Sequence, residues 1–298
     1  MKQFKNFFYF MVGLVFMVLN KVRHEIEGYK TPRPFSVKQY DRCIEYDFNV
    51  VDTWLNEMRS LTKFAFSIEG KNILELGPGA DLGVGLILLA KGARKYNALD
   101  VHFLVKNVPS EFYDKLFEEI KKRIPLADIN DLKLQLRGFR EGKNSRLNYI
   151  YDKKFSFSQL KSEKIDVVFS NAAFEHFDNI GKIFEQLSQV VKKDGYILST
   201  IDFQTHTRWI RERDPLNIYR YSDKLYNLLS FKGSPNRLRA YDYIIFLEKF
   251  GWEGIKFLPI KKLSQTEWRI TKPYLCSRFI NYSDMDVLSG ILFARKSS

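Results

Sequence analysis

The chain has 298 residues, 45% hydrophobic and 15% aromatic, with a formal net charge of +13. So much apolar material excludes a disordered chain, and the length suits one large domain with additions. Cys43 and Cys276, the two cysteines, stand too far apart for a disulfide framework or a thiolate zinc site; they read as buried or idle thiols, and no metal site is expected.

The charge suits an acidic partner: a membrane surface, an anionic glycan or nucleic acid. It suits a merely basic enzyme equally well. Lys2 and Lys5 precede an unbroken apolar run, residues 7–19, and Lys21 and Arg23 follow it. This resembles a signal peptide without a small-residue cleavage site. As a helix the run spans about 20 Å, short of the roughly 30 Å hydrocarbon core. It can lie in a bilayer interface, act as a short signal anchor, or pack on the protein itself. Membrane contact is favoured, because the run is apolar all round. A polar stretch with Pro32 and Pro34 then reads as a linker. Ile44, Phe48, Val51, Trp54, Leu55, Met58 and Leu61 recur at helical spacing. That helix is expected to pack ahead of the first strand, or to cover a ligand site.

The stretch Asn72 to Gly85, NILELGPGADLGVG, is the most informative. Ile73, Leu74 and Leu76 predict a buried strand carrying Glu75 near its end. Gly77, Pro78 and Gly79 stop it, and Leu82, Leu86 and Leu89 then follow helical spacing. A strand, a glycine turn and a helix N-terminus let a ligand lie against bare backbone. Lys95 to Leu99 predicts a second strand, closed by Asp100. This acid lies roughly twenty residues beyond the turn, where nucleotide-binding units place a carboxylate for ribose hydroxyls. The turn is not G-x-G-x-x-G and no arginine follows Asp100, which weakens a nicotinamide reading.

Residues 108–124 predict an amphipathic helix ending in Lys121, Lys122 and Arg123. Residues 132–164 are basic and poorly patterned, with a third strand expected at 147–151, followed by Asp152. Lys153, Lys154, Lys161 and Lys164 read as a solvated face. Ile165 to Ser170 is a buried strand ending in Asn171, Ala172 and Ala173, with Glu175 and His176 just beyond. A helix over 180–191, an Asp194-Gly195 turn and a strand over 196–200 follow, leading to Asp202, Thr205 and His206. Alternating strands and helices imply a parallel sheet covered on both faces.

LELGPG, ALD, DVVFSNAAFEHFDN and DGYILSTIDF, in that order, resemble the successive motifs of class I S-adenosylmethionine-dependent methyltransferases. The likeness covers about residues 72–203. It implies an α/β, Rossmann-like fold with a seven-stranded, mostly parallel sheet whose last strand is antiparallel. Residues 252–259 and 287–294 fit the last two strands, with a helix over 241–250 between them. The resemblance also implies S-adenosyl-L-methionine as cofactor. Glu75, Gly77, Pro78 and Gly79 would lie along its methionine part, Asp100 would hold the ribose, Asn171 would approach it, and Asp152 would stand near the adenine. IDFQTH, PLNIYRYS and NRLRAYDY are similar, more loosely, to methyltransferase-domain proteins of bacterial surface-polysaccharide clusters.

The expected organisation is an apolar helix over 1–24, a linker and helix over 25–70, and a methyltransferase domain over 71–298 with an insertion at 203–240. If the acceptor is a hydroxyl, a base must take its proton; His206 and His176, each just past a strand end, are the candidates. The insertion is rich in arginine and aromatic residues, which bind anionic groups and sugar rings. Arg237, Asn236 and Tyr221 are its candidates for acceptor recognition, with pairing to Glu212, Asp214 and Asp223 as the alternative role for its arginines. The acceptor is expected to be a small molecule, glycan or glycolipid, methylated on oxygen, in the cytoplasm or at the cytoplasmic membrane face. RNA, a lipid or quinone, and a silent cofactor-binding protein stay open as alternatives; DNA is not expected.

Overall fold

The computed structural model describes residues 2–28, 39–143 and 145–297. The expected linker with Pro32 and Pro34 lies mostly outside the described residues. The chain runs through α1 (Lys2–Glu27), α2 (Tyr40–Leu61), β1 (Asn72–Leu76), α3 (Gly83–Ala90) and β2 (Lys95–Asp100). Then come α4 (Ser110–Arg123), α5 (Ile129–Arg140), β3 (Leu147–Tyr151), β4 (Ile165–Asn171), α6 (Ile180–Val190) and β5 (Val191–Asp202). The short helices α7 (Arg208–Arg211) and α8 (Asp223–Leu229) precede α9 (Ala240–Lys249) and β6 (Trp252–Lys262). Finally, α10 (Gln265–Thr271) and α11 (Ser277–Ile280) lead to β7 (Val287–Lys296).

The strands form one seven-stranded sheet in the order β3-β2-β1-β4-β5-β7-β6. The first five are parallel, and β7 lies antiparallel between β5 and β6. The expected Rossmann-like fold is therefore present. β1 is buried along its whole length, Asn72 and Glu75 included, as a strand covered on both faces is. One face packs Trp54, Leu86, Phe112 and Leu116, from α2, α3 and α4. The other packs Phe184 and Leu187 of α6 with Tyr243 and Leu247 of α9. Strand order reverses between β1 and β4, which opens a crevice at their carboxyl ends.

Two elements differ from expectation. The basic stretch from residue 132 begins inside α5, whose N-cap Asp128 side chain accepts from the backbone N–H of Asp131 and whose Leu132 and Leu136 are buried. The Asp194-Gly195 turn is a kink within a longer β5, where Asp194 has φ +60°.

A third, smaller core joins the insertion to the β6–β7 connection, with Leu216, Tyr219, Tyr221, Phe279 and Met285 packed against Phe10, Leu14 and Met17 of α1. Polar bonds fix the helix there. The Asn217 Nδ2 donates to the Tyr9 carbonyl (3.0 Å), the Tyr221 hydroxyl to the Phe10 carbonyl (2.9 Å), and Asn20 Nδ2 to Thr207 Oγ1 (3.0 Å). Gly13 permits this approach: a Cβ there would stand 2.0 Å from the Tyr221 hydroxyl and 2.1 Å from Asn217 Oδ1. The run that reads as apolar all round is thus docked along one side, while Phe7, Phe8, Met11, Val15, Val18 and Leu19 are exposed.

Gly13→Ala should cost about 1–3 kcal/mol by overpacking. The expected outcome is a melting temperature lower by a few degrees and faster tryptic cleavage after Lys21 and Arg23 than in the parent protein.

Candidate active site

The crevice holds a cleft of about 550 Å³, lined at its base by Glu75, Gly77, Pro78, Gly79, Asp100 and Asn171. Six of the seven sequence-derived ligand residues therefore meet in one place. The Gly77 N–H donates to the Leu99 carbonyl at 3.0 Å, so the turn is tied to the end of β2. Gly77 has φ +71°, and a Cβ there would come 2.7 Å from the Ala173 Cβ. Only glycine gives both that backbone angle and that gap.

Glu75 accepts a hydrogen bond from the Tyr96 hydroxyl at 2.5 Å. Asp100 accepts from the backbone N–H of His102 at 2.8 Å, and from those of Val101 and Gly79. Burial outweighs these bonds and raises its carboxyl to about 6. Asn171 Nδ2 donates to the Tyr46 hydroxyl at 2.8 Å. Tyr46 and Val50 of α2 line the cleft, while Trp54 stacks on Phe169 of β4 at 4.6 Å between ring centroids. Of the two roles expected as alternatives for this helix, packing ahead of the first strand is the one its buried residues fill, and Tyr46 and Val50 add to the cleft lining.

Asp152 is not among the lining residues. Its carboxylate accepts from the Lys154 backbone N–H at 2.7 Å, and the neighbouring Tyr151, Lys153, Lys154 and Phe155 line the cleft instead. Lys153 and Lys154, expected on a solvated face, are exposed and line the cleft together with the exposed Lys182 and Lys232. His24 of α1 lines the same cleft and stacks on Phe231 at 4.4 Å.

The acceptor candidates in the insertion lie elsewhere. Arg237 is 3% exposed; it donates to the Ile218 and Tyr221 carbonyls and pairs with Asp223. Asn236 Nδ2 donates to the Phe174 and Phe177 carbonyls, and the Tyr221 hydroxyl holds α1. None of the three lines the cleft. Arg220 pairs with Asp214 at 2.9 Å with both side chains buried, and Arg211 pairs with Asp202 at 2.5 Å. The alternative reading, arginines paired with nearby acids, describes what these side chains do here.

The two histidines do meet. The His176 and His206 rings lie 4.8 Å apart between centroids, and His176 lines the cleft. The His176 Nδ1–H donates to the Gly233 carbonyl at 2.6 Å, which leaves the lone pair on Nε2. His206 Nε2 stands 3.7 Å from Asp202 Oδ2. Burial lowers both imidazoles, His206 to about 4, so both are neutral near pH 7. Glu175, 2% exposed, lies beside them, and burial and the nearby Asp202 raise its carboxyl well above the usual range. Tyr46 and Lys232, which line the cleft, and Glu175, which lies beside the histidines, are positions that sequence reasoning did not single out. A glutamate directly preceding a candidate histidine was the available signal for Glu175.

A family model described as "Methyltransferase domain" matches residues 51–253, more than half of the chain. No curated protein matches. Among solved structures, the Haemonchus contortus phosphoethanolamine N-methyltransferase 2 in complex with S-adenosyl-L-methionine is 16% identical, with a TM-score of 0.44, over 82% of this chain and 53% of that one. This chain thus spans about half the length of that enzyme. A structure described as the "Complex between the Haloferax volcanii Trm112 methyltransferase activator and the putative methyltransferase" gives 12% identity and a TM-score of 0.45, over 87% of this chain and 98% of that one. One described as a "putative S-adenosylmethionine dependent methyltransferase from Listeria monocytogenes" gives 14% and 0.42, over 81% and 98%.

Gly77→Ala should cost about 2–4 kcal/mol, from the positive φ and the clash with Ala173 together. Differential scanning calorimetry should show a melting temperature lower by about 5–10 °C.

Proposed function

The chain belongs to the methyltransferase-domain family and uses S-adenosylmethionine, and from that premise we propose that it methylates a hydroxyl of an anionic acceptor presented at a membrane surface. The residues present fit the cofactor. Gly77 leaves bare backbone where a Cβ would intrude, Asp100 offers a buried carboxylate for the ribose hydroxyls, and the cleft is of ligand size at about 550 Å³. When bound, S-adenosylmethionine supplies a methyl group already activated by its sulfonium. The chain's own task is to align the acceptor oxygen and exclude water. Tyr46 fixes Asn171 at the cleft wall, and His176, neutral and tautomer-fixed, presents Nε2 to whatever enters beside it. A lone pair there can accept the acceptor's proton.

The observation that carries the acceptor class is the cleft's charge: four exposed lysines, Lys153, Lys154, Lys182 and Lys232, line it, and α1 adds His24 to the lining. α1 also exposes a set of large apolar side chains. Among the described residues α1 alone is long and apolar enough to cross a bilayer. Yet its bonds to Asn217, Tyr221 and Thr207 run along its flank, so spanning would carry the neighbouring Arg220 and Asp214 into hydrocarbon. A helix lying in the interface, apolar face down, satisfies both facts and points the lysines at anionic headgroups. A lipid-linked glycan or another anionic lipid meets this description at the cytoplasmic face; free RNA does not use the apolar face.

Asp100 gives the cofactor site a pH dependence of known sign. Below about pH 6 its carboxyl is protonated in the free protein and must lose that proton to accept both ribose hydroxyls. Affinity for S-adenosylhomocysteine, measured by calorimetry, should be flat above about pH 7 and weaken by up to about tenfold per unit below pH 6. Asp100→Asn should bind more weakly and lose that dependence.

Labelled methyl transfer tests the acceptor. Incubation with an envelope extract should place the label in an anionic, lipid-soluble fraction. Label appearing only in RNA or in water-soluble small molecules would overturn the membrane reading.

A further inference from the structure

We infer that Glu175, His176 and His206 form a binding site for one divalent first-row metal cation in the wall of the cleft. Each offers a ligand atom lying within 4.8 Å of the other two. Ligands about 2.1 Å from a shared ion stand up to about 4.2 Å apart, so small side-chain rotations close the set.

The hydrogen bonding around the three residues has the form that ligation needs. His176 donates Nδ1–H to the Gly233 carbonyl, which orients the ring and leaves Nε2 as an unprotonated donor atom. Metal-bound histidines are held by such a bond from their other ring nitrogen. His206 turns Nε2 toward the Asp202 carboxylate at 3.7 Å, and its buried Nδ1 has no hydrogen-bond partner among the described residues. In Glu175, Oε1 accepts from the Asp202 N–H at 3.3 Å, whereas the buried Oε2 has no such partner. Two polar atoms are therefore left over, one on each of two adjacent side chains of this cluster.

Electrostatics argues the same way. Glu175 is almost fully buried, and the nearby cation, Arg211, is engaged by Asp202. An unpaired carboxylate in such a place is costly. A divalent cation offsets the charge and uses both leftover atoms. Two imidazoles and one carboxylate suit manganese, cobalt or zinc rather than magnesium or calcium, which prefer oxygen. His206 keeps about a third of its side chain exposed, at 31%, which gives the ion a way in. The positions left open toward the cleft would hold an acceptor oxygen near the transferable methyl group; with the His176 lone pair then on the metal, the ion would lower that hydroxyl's proton affinity and the proton would leave to water in place of His176. That role rests on the methyltransferase reading; the site itself does not.

The test uses untagged full-length protein, stripped with a chelator and titrated with Co²⁺, read by visible absorption. The expected result is one ion per chain with d–d bands, displaced by Zn²⁺. Glu175→Gln and His206→Ala should each weaken binding by at least about 100-fold. Absence of stoichiometric Co²⁺ binding by the parent protein overturns the site, as does binding that neither substitution changes. S-adenosylhomocysteine affinity is measured on the same samples. Metal bound without it refutes the methyltransferase reading alone, and the reverse refutes the metal site alone.

Discussion

Two neighbouring parallel strands that part at their carboxyl ends set the constraint on which the rest depends. β1 pairs with β4 from Ile73 to Leu76, and the strands' continuations then meet again where Gly77 faces Ala173. That contact leaves no room for a side chain, so the turn presents backbone to the cleft. Asp100 and its bonds to the turn hold the third wall. Everything that reaches the cleft, from Tyr46 on α2 to Gly233 in the insertion, is positioned against this frame.

The insertion is a structural device before it is a recognition surface. Three of its six arginines are buried and bonded: Arg220 to Asp214, Arg237 to two carbonyls and Asp223, Arg239 to the Asp284 and Val287 carbonyls. Removing one partner would leave a buried guanidinium or carboxylate without compensation, which costs far more than an exposed pair contributes. This rigidity has a use. It seats α1, and it carries Gly233 to His176, so the orientation of a cleft imidazole is set by a segment more than fifty residues away, the bond spanning 57 positions.

The sheet and the base of the cleft were legible in the sequence because they depend on local pattern. A β-branched run such as IDVVFS means a buried strand wherever it occurs, and Gly77 with Asp100 needs only spacing to be recognised. The insertion was not legible, because an arginine's role depends on which acid or carbonyl the fold delivers to it. Tyr221 and Arg237 look like surface ligands in a list of residues and are interior struts in space. Likewise the apolar run at residues 7–19 shows no polar stripe, since α1 is held partly through its own backbone carbonyls, which no side-chain pattern records. α5 was hidden by its basic surface, although its Asp128 cap was in view.

The position of β7 has a consequence for how the molecule is assembled. It fills a slot between β5 and β6, both of which precede it in the chain. Until residues 287–296 leave the ribosome, β5 presents an unpaired edge with Ile197, Leu198 and Ile201 along it, and β6 has no neighbour at all. Late arrival of a central strand makes this half of the sheet a slow, non-local step. It also makes the nascent chain sticky for longer than a meander would be. Shielding by a chaperone would matter most during that interval.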